Sequence, residues 1–250
     1  MRGRLAGRVT VLLLAALLLA APVSAQQTQQ VPFVIIWFLG FNTTQPPFDN
    51  VTARRAVAAA LDRARLASAD DNVLSHSFEP PGCLAHNPGA RPHPFNPEQA
   101  KALLAQSGVK LDEVGTIGLW SLSALRRGNA QAELQILSAN LSAIGMEVTL
   151  REFGTYDAFD RIATLPVVKM SYWGIGAPMT LCAQESFFED LAHSRGAFNK
   201  FGYRNAELDA LIVQAIRAGD RATKIRLYHE AEQKFLDEAV VVPIWYYVVR

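Results

Sequence analysis

Two uncharged runs of β-branched and aromatic residues constrain this chain more than anything else in it. One is Val31-Pro32-Phe33-Val34-Ile35-Ile36-Trp37-Phe38-Leu39, and the other, Val240-Val241-Val242-Pro243-Ile244-Trp245-Tyr246-Tyr247, lies at the far end. Runs of this kind suit strands buried on both faces. Termini normally lie at the surface and fray, so a chain that closes in mid-strand on Trp245, Tyr246 and Tyr247 reads as one lobe of something larger. Left without partners, two such strands would be an aggregation hazard.

Between them, helical and extended patterns alternate. A helix from Thr52 places Ala53, Val57, Ala60, Leu61 and Ala64 on one face and Arg54, Arg55, Asp62 and Arg63 largely on the solvated side. Residues 79–97, rich in Pro, Gly and His, form an irregular loop. Asn96-Pro97-Glu98 starts a helix that Gly108 stops. Thr116–Leu122 is a strand, Leu134, Leu137, Leu141 and Ile144 mark a helix, and Met146, Val148 and Leu150 alternate as the next strand. Tyr156–Ile162 is a short helix, Val167–Trp173 a strand and Gly174–Ser186 a loop. Two further helices precede the last run, one behind Asn205 and one over residues 222–237. The strand, helix, strand order indicates an α/β fold. There is no internal repeat or low-complexity segment.

Ahead of Val31, the basic residues Arg2, Arg4 and Arg8 precede an apolar run from Val9 to Ala21 and a small-residue cleavage site, Val23-Ser24-Ala25. This is the pattern of an export signal, with a run short for a bilayer-spanning helix. No cysteine follows it to carry a lipid, and Arg2 and Arg4 are not adjacent, so neither a lipid anchor nor a twin-arginine signal is expected. The domains are then a signal peptide, 1–25, and a lobe, 26–250, periplasmic or secreted and without a membrane anchor after cleavage. Beyond residue 25 the balance is 21 basic to 23 acidic side chains, with no basic field to hold a phosphate backbone, which excludes nucleic acid as a partner. Outside the cytosol, Cys83 and Cys182 either bridge or remain buried as free thiols. A bridge would close 99 residues of chain and contribute up to about 4 to 5 kcal/mol.

Four blocks in order resemble the carboxy-terminal lobe of the family 5 extracellular solute-binding proteins, the peptide- and nickel-capturing components of ABC importers. They are Gly40-Phe41-Asn42-Thr43-Thr44-Gln45-Pro46-Pro47-Phe48-Asp49-Asn50-Val51 with Arg54-Arg55-Ala56 and Ala60-Leu61-Asp62-Arg63 after it; Pro97-Glu98-Gln99-Ala100-Lys101-Ala102-Leu103-Leu104; Leu141-Ser142-Ala143-Ile144-Gly145-Met146-Glu147-Val148; and Tyr203, Asn205, Glu207, Leu208 and Asp209 with Leu227-Tyr228, Ala231-Glu232 and Val242-Pro243-Ile244. The resemblance implies an α/β periplasmic-binding-protein-like lobe of type II, a mixed sheet flanked by helices, with the two apolar runs as hinge strands and the amino-terminal lobe missing. It implies a small solute, such as a short peptide, and an ABC permease as partners, and a separate lobe or chain to complete the cleft. No cofactor is implied.

The region resembling Tyr172-Trp173-Gly174-Ile175-Gly176 lines the cleft of peptide-binding relatives, where the Trp packs on ligand side chains and an aspartate three residues later holds the peptide's amino terminus. Here that position is Gly176, and a neighbouring acid such as Glu185 would have to substitute. Asn42, Trp120, Arg161, Tyr172 and Trp173 are the candidate ligand-binding residues. Each has a plainer reading beside it: turn formation for Asn42, packing for the aromatics, a solvated helix face for Arg161. Cys83, His86 and His93, with His76 upstream, fit no metal-ligand spacing. No nucleophile elbow, zinc-protease or phosphate-loop motif occurs, and Glu189 and Asp190 diverge on a solvated surface, so no catalysis is expected. The alternative to a binding module is a lobe that binds nothing itself, a truncated remnant or an interaction protein. If the export reading holds, amino-terminal sequencing of the protein recovered from outside the cytosol will begin at Gln26; a chain that still begins at Met1 refutes it.

Overall fold

The structure, a computed structural model, describes residues 31–69, 72–123 and 130–249. The signal-peptide reading lies outside the described residues. In chain order the elements are β1 (Phe33–Phe41), α1 (Val51–Ala60), α2 (Arg63–Ser68), β2 (Val73–Leu74), α3 (Pro97–Gln106), α4 (Leu111–Val114), β3 (Ile117–Leu122), α5 (Ala130–Ser142), β4 (Val148–Phe153), α6 (Tyr156–Ala163), β5 (Met170–Pro178), α7 (Met179–Cys182), α8 (Phe188–Ala192), α9 (Ala206–Arg217), α10 (Arg221–Asp237) and β6 (Val241–Val249).

Six strands form one mixed sheet in the order β2-β6-β1-β5-β3-β4. β1 is antiparallel to both β6 and β5, whereas β3 runs parallel to β4 and β5. The two apolar runs are therefore not left open, as their place in the sequence suggested. They pair with each other from Phe33↔Val249 to Gly40↔Val241 in the interior of the sheet. Their composition follows from this position: from Val34 to Leu39 every side chain of β1 is at most 2 % exposed. Pro243, which has no N–H to give a ladder, is tolerated because the register slips between Trp37 and Phe38, where Ile244 makes a bulge.

Alternate residues of each strand feed two cores. On one face Trp37, Leu39, Leu119, Tyr172 and Trp245 pack beneath α1, α2, α3 and α5. On the other, Ile36, Phe38, Leu122 and Trp173 pack beneath α6, α8, α9 and α10. The first core encloses a chain of three polar groups: Trp245 Nε1 donates to the Tyr172 hydroxyl at 2.8 Å, and that hydroxyl donates to Glu133 Oε2 at 2.7 Å. Trp37 stacks on Trp245 with centroids 5.2 Å apart. These side chains link the three central strands to α5.

Helix starts follow their caps. The side chains of Asn50, Asp62, Asn96, Thr155, Asn205 and Asp220 each accept from backbone N–H groups two or three residues on. Asp62 also explains why the helix expected to run through Ala64 is two helices, since it restarts the chain after a break at Leu61. Two of the arginines assigned to the solvated side are buried instead. Arg54 donates to the carbonyls of Glu238 and Phe48, and Arg63 to those of Ser75 and Pro243, so each ties a helix to a distant loop or strand. Burial pushes the Arg63 guanidinium down to about 10.

The loop over residues 75–95 crosses the second face and is fastened at three places. Cys83 is bridged to Cys182 of α7, Leu84 N–H donates to the Cys182 carbonyl at 2.6 Å, and two buried carboxylates hold its first half. Glu232 of α10 accepts from Ser77 Oγ at 2.7 Å and from Phe78 N–H at 2.6 Å. Glu79 accepts from Ala85 N–H, Phe188 N–H and Ser186 Oγ. Burial outweighs these donors and pushes both carboxyls up to about 7 from an ordinary 4.5. The folded chain then holds protons between about pH 4.5 and 7 that the unfolded chain has released, so stability falls as pH rises through that window and levels off above it. Asp160 and Asp220, whose carboxyls are lowered by their hydrogen bonds, act in the opposite sense below that window, and His76 and His93, whose imidazoles burial lowers from 6.5, oppose the two glutamates within it as pH rises towards 6.5. Thermal unfolding at pH 5.5 and 8 will show the protein more stable at the lower pH, with a slope on the order of 1.4 kcal/mol per unit per group. Glu232→Gln, which keeps the acceptor without the charge, will flatten that slope and raise stability at pH 8; an unchanged slope refutes the assignment.

Candidate functional site

β5 has unequal neighbours. On one side β1 pairs with it along its whole length, from Phe33↔Pro178 to Phe41↔Met170. On the other, β3 pairs only from Leu119↔Met170 to Ser121↔Tyr172. Beyond Tyr172 the second edge of β5 has no strand partner among the described residues. The chain leaves β3 there because Ser123 turns towards β4, its N–H and Oγ both donating to the Phe153 carbonyl at 2.8 and 3.0 Å. This unpaired and largely buried edge thus lies outside the carboxyl ends of the parallel strands β3 and β4, the place where open α/β sheets bind ligands.

This segment was expected to be a loop from Gly174 onward. It is strand through Pro178, and its glycines account for the difference. A Cβ on Gly174 would lie 2.9 Å from the Ile36 carbonyl oxygen, and one on Gly176 would lie 2.7 Å from that of Val34 and 2.5 Å from the Phe33 ring. The glycines mark a close approach of β5 to β1. An aspartate in place of Gly176 has no room without a shift of backbone. The far end of the edge is pinned as well, by Met179 N–H on the Pro32 carbonyl at 2.8 Å and by the Cys83–Cys182 bridge, which packs with Val34 and Ala177.

The structure does not bring the five candidate residues together. Tyr172 and Trp173, adjacent in β5, point to opposite faces and are both fully buried. Trp173 sits among Phe38, Phe159 and Phe201, with centroids 4.9, 5.4 and 6.2 Å away, and its Nε1 has no hydrogen-bond partner among the described residues. Asn42, 6 % exposed, holds a turn at the opposite end of β1 from Phe33: its Oδ1 accepts from Thr44 N–H at 3.0 Å and from Thr44 Oγ1 at 2.7 Å. Arg161 is exposed on α6. Trp120 is half-buried and stacks on Phe153 at 5.6 Å.

Sequence reasoning passed over Tyr156, which stands beside Trp173 at the start of α6. Burial and the neighbouring Asp160 push its hydroxyl up to about 12, and Asp160 in turn pairs with Lys200 at 2.7 Å. It also missed the β5 edge, which no residue type announces. Glu189, assigned to solvated surface, is half-buried and accepts from the Tyr228 hydroxyl at 2.9 Å. Cys83 is committed to the bridge, and no group of three or more His, Cys, Asp or Glu among the described residues could hold a metal ion.

The sequence profile of the bacterial extracellular solute-binding proteins, family 5 Middle, matches residues 6–188, and the chain belongs to that family. It is 24 % identical over 233 residues to the periplasmic oligopeptide-binding protein OppA of Escherichia coli K12, covering 87 % of this chain and 40 % of that protein. It is 27 % identical over 225 residues to the glutathione-binding protein GsiB of the same strain, covering 85 % and 42 %. The chain thus spans about two fifths of the length of these curated relatives. Its fold matches that of a dipeptide-binding protein from Pseudoalteromonas sp. SM9913 in complex with Met-Leu, with a TM-score of 0.74 at 23 % identity over 92 % of this chain and 47 % of that one. It also matches Haemophilus influenzae OppA in complex with RPPGFSPFR, at 0.70 and 20 %, over 88 % and 45 %. The α/β architecture is that of a periplasmic-binding-protein lobe, a mixed sheet flanked by helices.

Gly176→Asp will destabilise the protein by about 2 kcal/mol or more in urea unfolding, because the new Cβ meets backbone. Gly154→Asp, at a position with open space around it, will cost less than about 0.5 kcal/mol. Equal effects would refute the close-approach reading.

Proposed function

We propose that this chain supplies one wall of the solute cleft of an ABC importer's binding protein, that its solute is a short peptide or a similar small molecule, and that it binds without catalysis. The observation that carries the reading is the second edge of β5 from Trp173 to Pro178, which has no strand partner among the described residues. An extended peptide is the ligand such an edge suits, because its own N–H and C=O groups continue the ladder whatever its side chains. Gly174 and Gly176 keep the strand narrow, and Met179 and the bridge hold it straight, so little ordering is left to accompany binding. Family membership and the relatives that bind oligopeptides and glutathione support the same class of solute.

Gly176 in place of an acid leaves the edge without a charged anchor for a peptide amino terminus, so recognition there is by backbone hydrogen bonds and packing. The larger concavities found on the described residues are open to the surface, in keeping with a cleft that needs a second wall, so that this chain alone binds weakly. No helix of the described residues is long and apolar enough to cross a membrane. We place the protein in the periplasm or outside the cell, released by cleavage after Ala25, with an ABC permease as its downstream partner.

A second reading, a lobe that docks on another chain, draws on Val31, Leu181 and Val249, which are 50 %, 48 % and 44 % exposed near the same end of the sheet. NMR titration with di- to pentapeptides at about millimolar concentration separates the two, given the weakness expected of half a cleft. Peptide will shift the amides of Trp173 to Ala177 and of Ser121 to Ser123. If no peptide moves them while the protein elutes as a dimer or larger, the second reading stands in place of the first. Hydrolysis of the peptides would sink both.

A further inference from the structure

We propose that a concavity at the amino ends of β3 and β4 binds a small organic anion carrying a flat apolar group, with Arg151 and Lys169 taking its carboxylate and Trp120 its ring. The concavity, about 290 Å³, falls just below the roughly 300–1,000 Å³ range of drug-sized ligand sites and so suits a small ligand. It lies at the opposite end of the parallel strands from the open edge of β5 and does not depend on the peptide reading.

Strand register builds it. Gly118 stands opposite Thr149 and Trp120 opposite Arg151, and these four positions share one face of the β3–β4 pair. The missing side chain at 118 lets the Trp120 indole lie back over the strand, since a Cβ there would come within 2.8 Å of Nε1. Phe153 stacks on the same indole with planes 17° apart, which fixes the ring against the sheet. Val167, 58 % exposed, supplies an apolar wall, and Lys169 closes the site just ahead of β5.

The charge of the lining selects the ligand. Two cations and no acid line the concavity, in a chain whose charges otherwise nearly cancel. Neither Arg151 nor Lys169 has a carboxylate partner among the described residues. A guanidinium and an ammonium beside a fixed indole match a carboxylate joined to a planar group, the carboxylate held by charge-assisted hydrogen bonds and the planar group packed against the indole edge and Val167. That chemistry occurs in a free aromatic acid and in the carboxyl terminus of a peptide ending in Phe, Tyr or Trp.

The test follows the Trp120 indole N–H in ¹⁵N-labelled protein, identified by its loss in Trp120→Phe, during titration with 3-phenylpropionate. The acid will shift it and will bind about tenfold more tightly than the neutral 3-phenylpropanol. Arg151→Gln and Lys169→Gln will each weaken the acid about fivefold and leave Tm unchanged. The amides of Trp173 to Ala177 will stay still, so failure here and failure of the peptide reading are distinguishable. A tripeptide ending in Phe, compared with its carboxamide, tells which source of carboxylate binds better. An indole that does not move, an alcohol that binds as well as the acid, or unchanged affinity in both variants overturns the proposal.

Discussion

The antiparallel pairing of β1 with β6 is the contact on which the other parts of the structure rest. It places the first and last strands of the described chain side by side in the sheet, so that the residues with the most apolar surface meet each other rather than water. Each also has a second neighbour, β5 on one side and β2 on the other. Trp37 and Trp245 stack across the pair, and the hydrogen bonds through Tyr172 to Glu133 carry the same contact into β5 and α5. Both cores are laid on opposite faces of this three-strand centre.

The open edge follows from how that centre is filled. β5 is longer than β3, and β1 holds its full length, so the part of β5 that outruns β3 keeps a fixed shape without a second strand. An edge of this sort ordinarily invites aggregation. Here the bridge and the loop over residues 75–95 crowd its end, and Glu79 and Glu232 fasten that loop from below. Rigidity of the candidate site and acid-dependent stability of the fold thus share one set of side chains.

What could be seen in the sequence was what is decided locally. The caps at Asn96 and Asn205 and the apolar runs needed only a few adjacent residues to be recognised, and the order of strands and helices followed from them. The family could be seen because its blocks are contiguous. Features set by distant neighbours could not be seen. Gly174, Gly176 and Pro178 look like loop residues until β1 is laid against them. Arg54, Arg63 and Glu133 look solvated until their carbonyl and hydroxyl partners, many residues away, are known. Glu232 did carry a signal, since it lies between Ala231 and Phe235 on the buried side of α10. Trp173 was assigned to the cleft by its neighbours in sequence, whereas the packing of three phenylalanines around it places it in the core.

The same strand order has a consequence for the sequence of events during synthesis. β5 follows its neighbour β1 in the chain by well over a hundred residues, and β6 comes later still. Closing loops of that length precedes any reward from the contacts, so the middle of the sheet assembles late and slowly. Until β5 and β6 are in place, β1 is an apolar segment with vacant flanks, and whatever shields it in that interval governs the yield of native protein.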